Sequence, residues 1–316
     1  MTIGEGHRNR PSRRLQKLIE AGVRALSEGD RPRAVECCET ALAERPEMAR
    51  AHYLAGLIAT DSTDRGTAVQ AFSRTVELNE NHAGAWAQLA RLRVSGGDFV
   101  KAEGCLKNAV NTFKGNTTVA DLIGTAFRLA GNYDAALEWH KKAVAASSNH
   151  VPYLVNLANL HLYRGGLDDA RGLLDRCLDL EPDNPLVHWL VSRCTRAQSE
   201  IHIEAMKLLL ADVAEPRQAA YLHFATGKEY EDLEQWAPAF AAYDAGAVAR
   251  RKSVAFDEEA QVELYDFLAS NFTEAWLANQ RSDRVDNSPV FVVGLPRTGS
   301  TLLDRMLDAH PAVNSA

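Results

Sequence analysis

Ala34, Ala68, Ala102, Ala136 and Ala170 recur at a strict spacing of 34 residues. That regularity confines the chain to an architecture built by stacking one helical hairpin many times. The surrounding positions repeat with the alanines. A small residue lies twelve earlier (Gly22, Gly56, Ala90, Gly124, Ala158) and a bulky one four later (Cys38, Phe72, Leu106, His140, Leu174). The small residues let the two helices of a hairpin approach closely, and the bulky one fills the space between neighbouring hairpins. Turn signals separate the helices at Gly29-Asp30, Thr63-Asp64, Gly97-Asp98, Gly131-Asn132 and Gly165-Gly166, while Pro46 and Pro182 mark hairpin ends. Residues 15–184 are expected to form five regular hairpins of an all-α solenoid.

The period and this small-small-bulky spacing resemble the tetratricopeptide repeat (TPR). Residues 185–253 extend it as two further TPR-like units, making about seven hairpins. The first of these keeps Ser192, Leu208, Ala211 and Pro216 at repeat positions but puts Glu204 where the small alanine belongs, so it is degenerate. The second reads well through Gly227, Ala239, Tyr243 and Gly246, with Pro238 harmless in the first turn of its second helix. Residues 254–287 are expected to be capping helices and a polar linker, with Phe256, Val262, Leu264, Tyr265, Phe267, Leu268, Phe272 and Trp276 as the apolar positions. Residues 1–14 are a basic polar segment without an apolar signal core.

Residues 288–316 change character. Val290–Val293 is a short β-branched apolar run, the pattern of a strand buried in a parallel sheet, and Gly294–Thr301 then turns the chain into a helix. In that helix Leu302, Leu303, Met306 and Leu307 share one face, with Asp304, Arg305 and Asp308 opposite. The loop suits an anion. Gly299 permits a conformation closed to other residues, and the first N–H groups of the helix point together with the positive end of its dipole. Ser300 and Thr301 add hydroxyl donors, and Arg297 adds a two-pronged cation. The spacing Gly294-x-x-x-x-Gly299 matches the start of a nucleotide-binding P-loop. Ser300 stands where an NTPase or P-loop kinase needs Lys, which counts against ATP or GTP chemistry.

Gly294-Leu-Pro-Arg-Thr-Gly-Ser-Thr-Leu302 resembles the sulfotransferase loop that binds the 5′-phosphosulfate end of 3′-phosphoadenylyl sulfate (PAPS). Arg305-Met-Leu-Asp-Ala-His-Pro-Ala-Val313 is similar to the helix that follows it in tyrosylprotein sulfotransferases, and bacterial TPR sulfotransferases pair such a loop with helical repeats. The resemblance implies an incomplete α/β domain of strand, loop and helix, PAPS as sulfuryl donor and no metal. It assigns Arg297 to charge on the sulfuryl group and leaving phosphate, and Thr298, Gly299, Ser300 and Thr301 to the 5′-phosphate. It also implies a general-base glutamate and a 3′-phosphate and adenine pocket downstream of the loop. The chain is therefore expected to be the N-terminal part of a longer enzyme, helical to about residue 280 with a mobile tail, and inactive alone. The alternative expectation is a non-catalytic TPR adaptor with a vestigial anion-binding loop.

Partners are read from the inner helices. Asn156 and Asn159 are placed to hydrogen-bond a peptide backbone, and Arg50, Arg91 and Arg128 to favour an acidic segment, whereas His140 takes the packing position of one repeat and His52 and His188 the fourth position of others, to pack or to line the concave face. A protein or peptide ligand in the TPR groove is expected, without the lysine and asparagine set of carboxylate-clamp repeats. A net charge of −7 argues against nucleic acid. The absence of any long apolar run argues against a membrane span, and the chain is expected to be cytoplasmic. Five cysteines on helices, near packing positions, are expected to be reduced and buried rather than disulfide-bonded or zinc-bound.

Overall fold

A computed structural model describes residues 13–279, 291–294 and 298–313. Its contacts divide it into two compact units that meet between Val254 and Ala255. The first unit opens with five hairpins: α1 (Arg13–Ser27) with α2 (Arg31–Glu44), α3 (Ala49–Asp61) with α4 (Arg65–Leu78), α5 (Ala83–Val94) with α6 (Phe99–Thr112), α7 (Thr117–Leu129) with α8 (Tyr133–Ala146), and α9 (Val151–Tyr163) with α10 (Leu167–Leu180). Then come α11 (Pro185–Ser192), α12 (Ile201–Asp212), α13 (Pro216–Asp232) and α14 (Trp236–Lys252).

The turns inside the hairpins obey one rule. Residues 29, 63, 97, 131 and 165 all have positive φ, between 59° and 80°, and four of them are glycine. Thr63 alone among them holds this left-handed conformation with a β-branched side chain. The next residue caps the second helix. Asp30, Asp64, Asp98 and Asn132 accept from the N–H of Arg33, Thr67, Lys101 and Ala135 at 3.1–3.3 Å. Gly166 has no side chain with which to do so.

The small residue of each repeat is small because something large lies on it. A Cβ on Gly56 would come within 2.5 Å of the Phe72 ring, one on Gly124 within 3.0 Å of His140, and one on Gly227 within 2.8 Å of Tyr243. The bulky residue also reaches the next hairpin: the Cys38 thiol donates to Ala51 O at 3.4 Å, and Phe72 lies in one core cluster with Ala85 and Leu89. First helices touch the first helices of following hairpins (α1 on α3, α5 on α7, α7 on α9), whereas no comparable contact joins α2, α4, α6, α8 and α10 to one another. The odd-numbered helices thus form the inner face. Every close contact in this part joins elements adjacent, or next but one, in sequence.

The sixth hairpin departs from the expected register. Glu204 is exposed and ion-paired to Lys207 at 2.8 Å, and Leu208, expected at a packing position, is 74% exposed. Ile203 and Met206 are fully buried instead. Burying an unpaired carboxylate is costly, so α12 is turned to bring the neighbouring apolar pair inward.

The second unit contains α15 (Glu258–Asn271), α16 (Glu274–Asn279) and α17 (Ser300–Asp308). The apolar residues of the expected cap are exposed, from Phe256 and Val262 through Leu268 to Phe272 and Trp276, and α15 buries no residue. Phe272 and Trp276 make an edge-to-face pair with ring centres 4.8 Å apart. The strand expected over Val290–Val293 is a correction: Phe291–Gly294 form no strand, and no strand occurs among the described residues. Val290 lies outside them. A strand exists only through hydrogen bonds to another strand, and Phe291 and Val293 are 82% and 91% exposed. The helix expected after the loop is present as α17.

Candidate functional site

Two places carry the residues with chemical potential, the inner face of the hairpin stack and the loop before α17. On the inner face, each expected arginine already has a neighbour. Arg50 pairs with Glu20 at 3.7 Å, Arg91 Nε donates to Gln88 at 3.1 Å, and the Arg128 guanidinium lies 6.0 Å from the Tyr163 ring centre. Tyr53 lies against Gly84, whose lack of a side chain admits the phenol oxygen. Burial raises the Tyr53 pKa, opposed by its hydrogen bond to Gln88 and the charge of Arg91. Burial also lowers the Arg91 pKa, so that cation is held in a partly desolvated place where an added carboxylate would be felt strongly.

The asparagines separate. Asn156 does not offer its amide to a ligand: Nδ2 donates to both carboxylate oxygens of Asp121, at 3.1 and 2.9 Å. Asp121 Oδ1 also accepts from His140 Nδ1 at 2.9 Å. His140 is fully buried and its Nε2 has no partner, so the ring is held with its proton on Nδ1. The three side chains, from α7, α8 and α9, tie two hairpins together. Asn159 is half-buried one turn further along α9. Asp121 escaped the sequence reading. Its signal was a carboxylate inside the otherwise apolar Val119-Ala-Asp-Leu-Ile123, on the helix whose Gly124 receives His140. His52 turns Nε2 to Pro46 O at 2.8 Å, a structural contact, as its repeat position suggested.

At the loop, Gly299 has φ +89° and is the N-cap of α17, with no side-chain cap. Helix geometry leaves the N–H groups of Ser300, Thr301 and Leu302 without carbonyl partners inside the helix, and Leu303 N makes the first such bond, to Gly299 O at 3.0 Å. Thr298, Gly299 and Thr301 are exposed and Ser300 is half-buried. A Cβ on Gly294 would lie 2.7 Å from Thr298 Oγ1, so the Thr298 hydroxyl sits close over this glycine. Arg297, the expected catalytic cation, lies outside the described residues.

The tetratricopeptide-repeat family matches at residues 19–83 and 127–194, and the sulfotransferase family matches at residues 289–316. No curated protein matches the chain. Among solved structures, a thermophilic TPR protein of Thermus thermophilus aligns with a TM-score of 0.50 at 21% identity, over 57% of this chain and 98% of its own. Human IFIT1, solved as a dimer with PPP-AAAA, aligns with a TM-score of 0.60 at 18% identity over 76% of this chain, which spans 61% of that one. The same human protein with m7Gppp-AAAA gives a TM-score of 0.61. Likeness at these identities establishes the fold: a TPR solenoid, here joined to a sulfotransferase-like segment. Among the described residues no helix is long and apolar enough to cross a membrane.

Proposed function

We propose that this chain joins a substrate-recruiting TPR groove to the phosphosulfate-binding loop of a PAPS-dependent sulfotransferase. What supports the reading most is a coincidence. The sulfotransferase match over residues 289–316 falls where Gly299, in a left-handed conformation, opens a helix with Ser300 and Thr301 in its first turn. Glycine at the cap, exposed hydroxyls and unpaired N–H groups fit a phosphate or sulfate oxyanion.

Sulfuryl transfer places an acceptor oxygen in line behind sulfur while the adenosine bisphosphate leaves, so the protein's work is positioning and charge stabilisation. Thr298, Gly299, Ser300 and Thr301 hold the 5′-phosphate, and Arg297 balances charge growing on the sulfuryl group and leaving phosphate. The inner face, with Arg91, Arg128 and Asn159, recruits a protein or peptide that presents the acceptor hydroxyl. The test is transfer of labelled sulfate from PAPS by the protein carrying a complete transferase domain, with Arg297→Ala beside it. Transfer is expected to vanish in the variant while helicity is unchanged, and wild-type turnover by the variant would remove Arg297 from the mechanism. Absence of transfer by both, with peptide binding retained, would leave the second reading, a TPR adaptor whose loop is vestigial. The exposed apolar face of α17, bearing Leu302 and Met306, favours that reading as an assembly surface.

A further inference from the structure

The sixth hairpin holds a line of polar groups that the proposed function does not use. His188 on α11 turns Nε2 to the carbonyl oxygen of Pro182 at 2.7 Å and Nδ1 to His202 Nε2 on α12 at 2.9 Å. His202 Nδ1 then meets Glu229 Oε1 on α13 at 2.6 Å. The two ring centres are 5.1 Å apart, a separation that a 2.9 Å N···N contact allows only when the nitrogens point almost straight at each other. The line is dry. His188 and Glu229 are 6% and 4% exposed, and Glu229 Oε2 and Thr226 Oγ1 are buried without partners.

The protons on this line can be counted. A carbonyl oxygen only accepts, so His188 Nε2 carries a proton. A carboxylate only accepts, so His202 Nδ1 carries one as well. With both rings neutral, the two facing nitrogens would be lone pair against lone pair. One further proton must lie between them, giving three protons on two rings and a net charge of zero once Glu229 is included. Moving the Glu229-side proton onto the carboxylate leaves the total unchanged. A fourth ring proton would set N–H against N–H.

We propose that Pro182, His188, His202 and Glu229 form a proton-counting clamp that holds α12 between α11 and α13 only while the two rings and the Glu229 carboxyl share three protons. Removing the shared proton leaves Glu229 as a buried carboxylate with no cation, and adding a fourth drives the rings apart. The clamp therefore loosens in both directions of pH. On the alkaline side, losing the shared proton sets the two facing lone pairs against each other, so this contribution fades as pH rises. On the acid side, burial lowers the pKa of His188, with the Pro182 hydrogen bond, Asp183 and Glu229 opposing and His202 reinforcing. Its contribution is complete above the free-histidine value and is lost as pH falls through the lowered one.

Other groups around the line leave it to itself. The core on the α10 side of α11 is apolar apart from Cys177 and Cys194, whose thiols burial pushes up, that of Cys177 to about 11, so that both stay neutral. On α13, Lys228 pairs with Asp232 at 2.5 Å, and His223, whose pKa burial lowers, packs against Gly246 of α14. From α14, Tyr243 donates to Glu231. On α12, Lys207 is taken by Glu204.

The test is amide exchange of residues 201–212 in the intact chain from pH 5 to 9, corrected for the intrinsic rate, in wild type and His202→Gln. Glutamine keeps one donor and one acceptor but no titrating proton. Wild-type protection is expected to peak near neutrality and fall by up to tenfold per pH unit on either side, the slope of one linked proton, with the alkaline limb lost in the variant. A flat wild-type profile, or the same bell in the variant, overturns the clamp. Nitrogen NMR of the two imidazoles in the wild-type chain decides independently of the variant's folding. Read together with the Glu229 carboxyl carbon shift, three protons over the two rings and the carboxyl are expected at the protection maximum, and two neutral rings beside an ionised Glu229 there would overturn the count.

Discussion

Replacing Gly56 by alanine isolates the close approach on which each hairpin depends. The new Cβ would meet Phe72 Cε1 at 2.5 Å, Cδ1 at 2.7 Å and Cζ at 2.8 Å, so it would press on the ring rather than on one flexible atom. Phe72 is fully buried, with Tyr53 against it at 5.5 Å between ring centres, and cannot retreat without displacing the next hairpin. Such overpacking costs about 1–3 kcal/mol. Alanine in a helix interior returns roughly 1 kcal/mol over glycine, leaving a net loss of about 0–2 kcal/mol. Gly104→Ala on α6 is the matched control, because a Cβ there meets nothing within 4 Å, and it should stabilise by up to about 1 kcal/mol. Urea unfolding followed by circular dichroism, with amide exchange in α3 and α4 to localise the effect, should give the two substitutions opposite signs. Adding Phe72→Leu to Gly56→Ala should cost less than the sum of the separate losses, since the smaller side chain vacates the contested space. Equal stabilisation by Gly56→Ala and Gly104→Ala would refute the packing argument.

Further expectations rest on other sites. Asp121→Ala should destabilise by about 1–3 kcal/mol, because His140 and Asn156 each lose an acceptor in a largely buried place; urea unfolding measures it. Thr63→Gly should raise stability by a few tenths to about 1 kcal/mol by relieving the one β-branched residue at a positive-φ turn, and a fall would mean that the threonine side chain contributes more than its backbone costs. Burial pushes the thiols of Cys38 and Cys177 up to about 11, so alkylation of the native chain at pH 8 should spare both and reach them only on unfolding, as read by mass spectrometry of labelled peptides.

The hairpins were legible because periodicity records packing directly: the Gly56–Phe72, Gly124–His140 and Gly227–Tyr243 contacts are the positions the repeat singles out. The turn chemistry was legible for the same reason, down to the aspartates that follow the left-handed residue. The sixth hairpin was less so. A repeat read by alignment carries Glu204 and Leu208 into the core positions, whereas desolvation rotates α12 onto Ile203 and Met206. The amide of Asn156 looked available because a sequence does not show that Asp121, 35 residues earlier, lies on the neighbouring inner helix within hydrogen-bond reach of it. The helix and cap glycine of the loop followed from local rules, which act within a few residues. The strand did not form, since a strand depends on neighbours that no local rule supplies.

Packing confined to adjacent hairpins also shapes how such a chain emerges during synthesis. No close contact in the repeats waits for a distant segment, so each hairpin can settle on its predecessor as soon as the next 34 residues have been made. At roughly 5–20 residues per second, the apolar underside of the newest hairpin is uncovered for about 2–7 s before its successor shields it. The growing chain thus exposes one interface at a time, whatever the number of repeats already folded behind it.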